Sequence, residues 1–231
     1  MLVKHVRYND FPVHITTAAG TYCIQEIQRK LTPIQLKYLT TVAAFTGNDT
    51  VSNIYNHGNC AIFNKLCADG SMFKHMDVLN SPDSTSEEIC KAGIAIFQFI
   101  YNAPHTDLHL TRFHMYSQSA KNGVIKPELL PPTKGCAIQH SLRSYLQNQD
   151  WIELKSMSRN PKKYGFKIGK NGYEPITTLD EWAPEHIKKL ISCKCKTPCD
   201  TNRCSCKKAG VKCISACGVC KGVDCKNIND L

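Results

Sequence analysis

The chain has no apolar run long enough to cross a bilayer. Its longest, residues 92–100, covers nine positions and is broken by Gly93 and Gln98, where a spanning helix needs about 20. The opening stretch MLVKHVRYND has no apolar h-region, so it does not read as a secretory leader. There is no Gly-x-Ser-x-Gly elbow, no Walker loop and no dinucleotide fingerprint. Internal repeats and low-complexity segments are missing as well. Acidic residues are scarce, with 19 Asp and Glu against 29 Lys and Arg. Before Asp49 only Asp10 and Glu26 occur, in no D-x-D or E-x-E pair, whereas a two-metal nuclease gathers several carboxylates. These absences point to a soluble, intracellular chain with no membrane partner. The apolar content of 42% is enough for a core and argues against wholesale disorder.

What the chain does have is cysteine. Nine of its 14 cysteines fall within 33 positions: Cys193, Cys195, Cys199, Cys204, Cys206, Cys213, Cys217, Cys220 and Cys225. The spacing is C-x-C-x3-C-x4-C-x-C-x6-C-x3-C-x2-C-x4-C. Inside a cell thiols stay reduced, so such density favours metal over disulfides. Nine is odd, and full pairing within the cluster would strand one thiol. Structural zinc takes four ligands in a tetrahedron and favours thiolates. Three separate sites would need twelve cysteines, but nine suffice if three of them bridge two ions each. A three-zinc cluster follows, with one or two zincs and spare thiols as the alternative. Such a module has almost no apolar core, so metal binding would supply most of its folding free energy. Charge is concentrated there too: of the net +10, residues 188–227 carry +8. Three zincs on nine thiolates would leave this stretch near +5, a surface suited to a polyanion.

The remaining pattern predicts a mainly α fold with a small β-hairpin: a helical N-terminal region followed by a small Cys-rich module. Residues 1–21 show no strong period and read as an extended lead-in. A helix is expected over 22–31, with Ile24, Ile27 and Leu31 inward. Thr32-Pro33 starts the next, burying Ile34, Leu39, Val42 and Phe45 and stopping at Gly47-Asn48-Asp49. Another covers 59–67, with Ile62, Phe63 and Leu66 inward. Ser84 with Glu87 and Thr85 with Glu88 both fit a capping box before a stripe of Ile89, Ile96, Phe97 and Ile100. Residues 108–119 read as a helix. Thr133 caps one running to Trp151, with Ile138, Leu142, Tyr145 and Leu146 inward. Period-two aromatics around Lys170-Asn171-Gly172 predict a hairpin, and Pro184 opens a last helix leading into Cys193. The expected organisation is therefore a helical region over 1–120, a linker, hairpin and connector over 121–192, and the zinc module over 193–227.

The stretch CKCKTPCDTNRCSCKKAGVKCISACGVCKGVDCKN resembles the CXC domain of tesmin/TSO1-type proteins and of the male-specific-lethal ubiquitin ligase. That resemblance implies a three-zinc cluster that binds DNA through a side chain just before the second C-x-C. Here that residue is Arg203, followed after Cys206 by Lys207 and Lys208. An arginine fork matches base edges or a narrow minor groove, and lysines take phosphates. Tesmin-type proteins carry two such modules and this chain has one. A similar cluster beside SET domains acts as a structural brace without nucleic acid.

A second resemblance covers VAAFTGNDTVSNIYNHGNCAIFNKL, LLPPTKGCAIQHSLRSYLQNQDW and YGFKIGKNGYEPITTLDEWAPEHIKKLISCKC. These are similar to the C-terminal half of an animal transposon-associated family that ends in a CXC module. The first motif resembles a region of flap-endonuclease-like (PIN-type) nucleases. The resemblance makes Asp49 the candidate catalytic carboxylate and His57-Gly58-Asn59 the backbone-holding turn, although the glycine and lysine richness of that turn is lost. The expected function is a nuclear, non-enzymatic, zinc-dependent protein that contacts DNA, a truncated or domesticated transposon-related product; a protein partner or homodimer would be compatible with it. The rivals are the remnant of a metal-dependent structure-specific nuclease and a zinc brace that binds no DNA. His105, His109 and His114, with Cys90 or Cys136, are candidates for a further zinc site, against a solvated or half-buried helix face. Cys23, Cys60, Cys67, Cys90 and Cys136 read as isolated small buried hydrophobes.

Overall fold

The structure is a computed structural model that describes residues 2–6, 11–103, 107–121, 127–154, 159–178, 193–196, 198–208, 212–213, 217–223 and 225–228. The chain divides into two units, one of residues Met1–Ala103 with Lys134–Leu179 and one of Pro104–Thr133 with Asp180–Leu231. The first is a helical body and the second holds one long helix and the cysteine module.

The body begins with α1 (Leu2–His5) and a hairpin of β1 (His14–Thr17) and β2 (Gly20–Cys23), antiparallel with Ile15 opposite Tyr22. Sequence periodicity predicts only an extended lead-in here and a helix from Tyr22. Tyr22 and Cys23 instead belong to the strand, and α2 starts at Ile24 (Ile24–Lys30). Gln25 is the reason the two join: its side-chain carbonyl accepts from Val13 N–H at 3.0 Å and its amide donates to the Phe11 carbonyl at 3.0 Å. Gln28 likewise donates to the carbonyls of Val3 and Val6, tying α1 to α2.

Helix α3 (Pro33–Thr46) opens on the capping box that Thr32 forms with Gln35 and carries Pro at its first turn, satisfying amides that have no partner within the helix. Its buried face is wider than the expected one. Val42 and Phe45 are buried as expected, and Tyr38, Thr40, Thr41 and Thr46 join them, whereas Ile34 is 39% exposed. The cause is packing on several sides, since α3 meets α1, α4 (Asn59–Ala68), α5 (Phe73–Asn80) and α8 (Lys134–Glu153), and a stripe derived for one neighbour is too narrow. Gly47 ends α3 at φ 118°, a left-handed value that favours glycine.

Helix α6 (Ser86–Ile100) realises the Thr85–Glu88 capping box and buries Ile89, Ile96, Phe97 and Ile100 as expected. Lys65 closes its far end, donating to the carbonyls of Phe99 at 2.6 Å and Ile100 at 3.2 Å. The helix expected from Thr133 to Trp151 is α8, with Leu142, Tyr145 and Leu146 buried as expected; the sequence assigns it to a linker, hairpin and connector region over 121–192, whereas it belongs to the same unit as residues 1–103. α8 packs on α3, α5 and α6, and Tyr145 and Ala137 are fully buried. Gly93 lets α6 and α8 come this close, because a Cβ there would stand 1.7 Å from Ser141 Oγ. Asn148 and Gln149, also buried, donate to the Leu79 carbonyl at 3.0 and 3.1 Å. They serve a buried carbonyl of the α5 C-terminal turn, where carbonyls have no partner within the helix.

The predicted hairpin is present as β3 (Phe166–Gly169) and β4 (Gly172–Pro175), with Lys170-Asn171 as its two-residue turn. Gly172 there has φ 124°. In the second unit α7 (Leu108–Lys121) follows the Asp107 side chain, which accepts from His109 N–H at 2.7 Å and Leu110 N–H at 3.0 Å. Arg112 of α7 donates to the Pro131 carbonyl. The helix expected from Pro184 lies outside the described residues. Among the described residues no helix is long and apolar enough to cross a membrane.

Candidate metal centre

The cysteine module is held by its backbone as much as by its side chains. Gly218 N–H donates to the Cys193 carbonyl at 2.8 Å, Cys213 N–H to the Asn227 carbonyl at 2.7 Å, and Lys226 N–H to the Pro198 carbonyl at 2.7 Å. These bonds fold the stretch across itself. Cys199 and Lys221 take positive φ angles of 58° and 47°, left-handed corners that turn the chain inward. Only one short helix, α9 (Ser205–Lys208), forms among the described residues of the module.

The result is a core made of sulfur. Cys193, Cys199, Cys204, Cys206, Cys213, Cys217 and Cys220 are buried together, with Cys195 and Cys225 packed against them at its edge. All nine thiols predicted as ligands are thereby brought into one cluster. The sulfur spacing decides what they can do. Cys193 lies 3.7 Å from Cys199 and 3.9 Å from both Cys213 and Cys220; Cys204 lies 3.9 Å from Cys213, and Cys206 lies 3.6 Å from Cys217. A disulfide would require about 2.05 Å. A tetrahedral thiolate site with metal–sulfur bonds of about 2.3 Å has edges of about 3.8 Å, and the observed separations scatter around that value. Four sets of four sulfurs each fall within 4.8 Å of one another, and Cys193 and Cys213 each belong to three of them. The clustered cysteines could hold a metal ion, and the shared members suit bridging.

Ionisation follows the same logic. Desolvation first, and then the neighbouring thiols, push Cys195 up to about 11 and Cys206 up to about 12, and push Cys199 and Cys213 up as well. Cys204 goes the other way, down to about 6, chiefly because the Lys207 backbone N–H donates to its sulfur, with Cys206 N–H adding to this. Crowded thiols therefore resist shedding their protons together unless a cation balances them. Asn227 adds a support the spacing does not reveal: its side-chain amide donates to Cys213 Sγ at 3.4 Å. An amide donor to a sulfur is what the outer shell of a metal–thiolate site supplies.

Arg203, Lys207 and Lys208 are all exposed. Arg203 sits in the turn before α9, its N–H on Thr201 Oγ1 at 3.4 Å, and Lys207 Nζ donates to the Asp200 carbonyl at 2.6 Å. The other candidates are not gathered. Asp49 lies exposed in the turn between Asn48 and Val51, where Asn48 Oδ1 accepts from Thr50 N–H at 2.9 Å and Thr50 Oγ1 at 2.8 Å. His57 rests edge-on against Tyr101. Gly58 caps α4 at φ −65°, so no glycine freedom is used there. His105 lies outside the described residues. His114 shares a 2.7 Å hydrogen bond with Gln118 along α7. Among the described residues every gathered set of three or more metal donors consists of cysteines of the module. The five outlying cysteines are not fully buried as expected: Cys60 and Cys136 are exposed, and Cys23, Cys67 and Cys90 half-buried.

Compared with family models, curated proteins and solved structures, the chain shows no match.

Proposed function

We propose that the chain is a zinc-binding, non-enzymatic protein whose cysteine module contacts duplex DNA. One observation carries the metal half: nine thiols in one buried cluster at tetrahedral-edge spacing. Nine thiols would hold three zinc ions if three of the sulfurs bridge. Cys193, Cys195, Cys199 and Cys204 gather as one four-sulfur set, and Cys193 and Cys213, which recur in three sets each, are the leading bridges to the other ions. The bound metal fixes the fold of the module, and the protein's own residues then present Arg203, Lys207 and Lys208 to solvent.

The DNA half is supported by those three exposed cations on one short segment and by the +8 charge of residues 188–227. Lysines in such a place take phosphates, and an arginine fork reads a groove. A domesticated transposon-related origin and a nuclear location fit this reading. Native mass spectrometry of the purified chain should find three zincs per chain, and one or none overturns the bridged cluster. In mobility-shift titrations Arg203→Ala should weaken duplex binding about tenfold or more. Binding equal to wild type, or indifferent to salt, overturns the DNA reading and leaves the module as a brace.

A further inference from the structure

The β3–β4 hairpin of the helical body is a second candidate contact surface, and it is independent of the cysteine module. Its base is fixed. Gly165, at φ 82°, packs so closely on α8 that an added Cβ would stand 2.9 Å from the Gln139 carbonyl. Its own carbonyl accepts from Arg143 at 3.3 Å and from Ile176 N–H at 2.9 Å. Tyr164 stacks on Tyr145 at 5.5 Å, and Asn160 caps the buried Pro161 turn. Beyond this base the ribbon is open to solvent. All four residues of β4 are exposed, as are Lys162, Lys163, Lys167 and Lys170.

Register sorts the exposed side chains by face. Ile168 pairs with Tyr173, and Lys167 pairs with Glu174 on the opposite face. Ile168 is 62% exposed and Tyr173 43% exposed, an apolar cross-strand pair with nothing covering it in the body. The four lysines make no ion pair among the described residues, and Glu174 is the single acid between Lys162 and Pro175. The Glu174 carboxylate folds over Gly169, where a Cβ would meet its Oε1 at 2.0 Å.

We infer that this ribbon is a duplex-DNA contact that enters the major groove with Ile168 and Tyr173 and takes phosphates with Lys162, Lys163 and Lys170. A major groove about 12 Å wide admits a two-stranded ribbon, whose strands lie about 4.8 Å apart. The groove floor offers thymine methyls to an apolar pair. The narrow, deep major groove of A-form RNA excludes the same ribbon. The lysine positions flank the apolar pair along the chain, which suits phosphates on either side of a groove.

The test uses the full chain with its metal, in salt titrations against a mixed-sequence DNA duplex of 20 base pairs. Replacing Lys162, Lys163 and Lys170 by Ala should weaken binding at least about tenfold and make the salt slope shallower by about 3, since each phosphate contact contributes about 0.9. A Gln version of the same three positions keeps the fold testable should the Ala version melt early. The same loss should appear in the Arg203→Ala, Lys207→Ala, Lys208→Ala background. An unchanged affinity and slope overturns the inference, as does a preference for duplex RNA or a loss confined to phosphatidylserine vesicles. If only the module substitutions weaken binding, the hairpin inference fails and the module reading stands. If only the hairpin substitutions do, the reverse holds.

Discussion

In the helical body the fully buried side chains include Tyr38, Phe45, Ile24, Leu66 and Tyr145; among the described residues of the cysteine module the buried apolar cluster consists of cysteines, with the Asn227 amide against it. The first draws its stability from apolar area removed from water, on the order of 25 cal/mol per Å². The second has little such area and, on the proposed reading, draws instead on metal–sulfur bonds. One chain thus combines a core that a chelator should leave intact with one that a chelator should undo. The body is sensitive to a methyl group in the wrong place, and the module to a chelator.

The sharpest way to break that contrast is to remove the metal. Chelation should unfold the module outright, because structural zinc contributes roughly 10 kcal/mol or more to such folds. The body should keep its helical circular dichroism and dispersed amide resonances. Module resonances that stay dispersed after exhaustive chelation would place its stability elsewhere.

Acid should separate the two regions by a different route. Burial holds the His140 imidazole down to about 4, with the Phe45 carbonyl opposing this and the Arg143 charge adding to it. The unfolded chain protonates first, near its ordinary value of about 6.5. The stability that His140 contributes is therefore complete above that pH and falls as pH drops towards about 4, by about 3 kcal/mol in all. Denaturant midpoints of the body should track this loss, and His140→Leu should flatten the dependence. An equal slope in that variant would assign the acid sensitivity to other groups.

Shape is the next lever. Gly93→Ala drives a methyl into Ser141 and should cost the body about 2 kcal/mol through forced separation of α6 and α8, with zinc content unaltered. Adding Ser141→Gly should restore part of the melting temperature, and no recovery would mean the clash is not with Ser141. The smallest effect is expected at Thr85. Thr85→Ala removes one N-cap of α6 and should cost about 1 kcal/mol, read as a slight drop in the thermal midpoint of the body alone.

The features legible from sequence were those set by neighbours along the chain. Thr32 and Thr85 announced their helices because a cap is a local bond. Asn171-Gly172 announced its hairpin for the same reason, and the nine thiols announced their cluster by density. What stayed hidden depends on distant partners. Tyr38 rather than Ile34 joins Val42 and Phe45 inward because α3 has four helical neighbours. Helix α8 is legible as a helix but not as part of the body, because its buried Asn148 and Gln149 bond a carbonyl about seventy positions away. The first hairpin was missed because Thr16, Thr17 and Thr21 give no apolar alternation. Asn227 at Cys213 had no signal at all, since one amide in a basic stretch looks like any other.

The backbone ties within the module also set an order of events during synthesis. Two of them, Cys213 with Asn227 and Lys226 with Pro198, and the ninth thiol at Cys225 all come from the last-made part of the described module. A ribosome that has added every described element of the body, through Pro175, has still made none of these sulfurs. The body can therefore fold while the module is being translated, and the backbone ties at Pro198 and Cys213 wait until residues 226–227 emerge. On the proposed metal reading, the set of Cys193, Cys195, Cys199 and Cys204 is made first and would close on an ion before the other sets are complete, and the thiols still waiting for partners are the ones most open to oxidation.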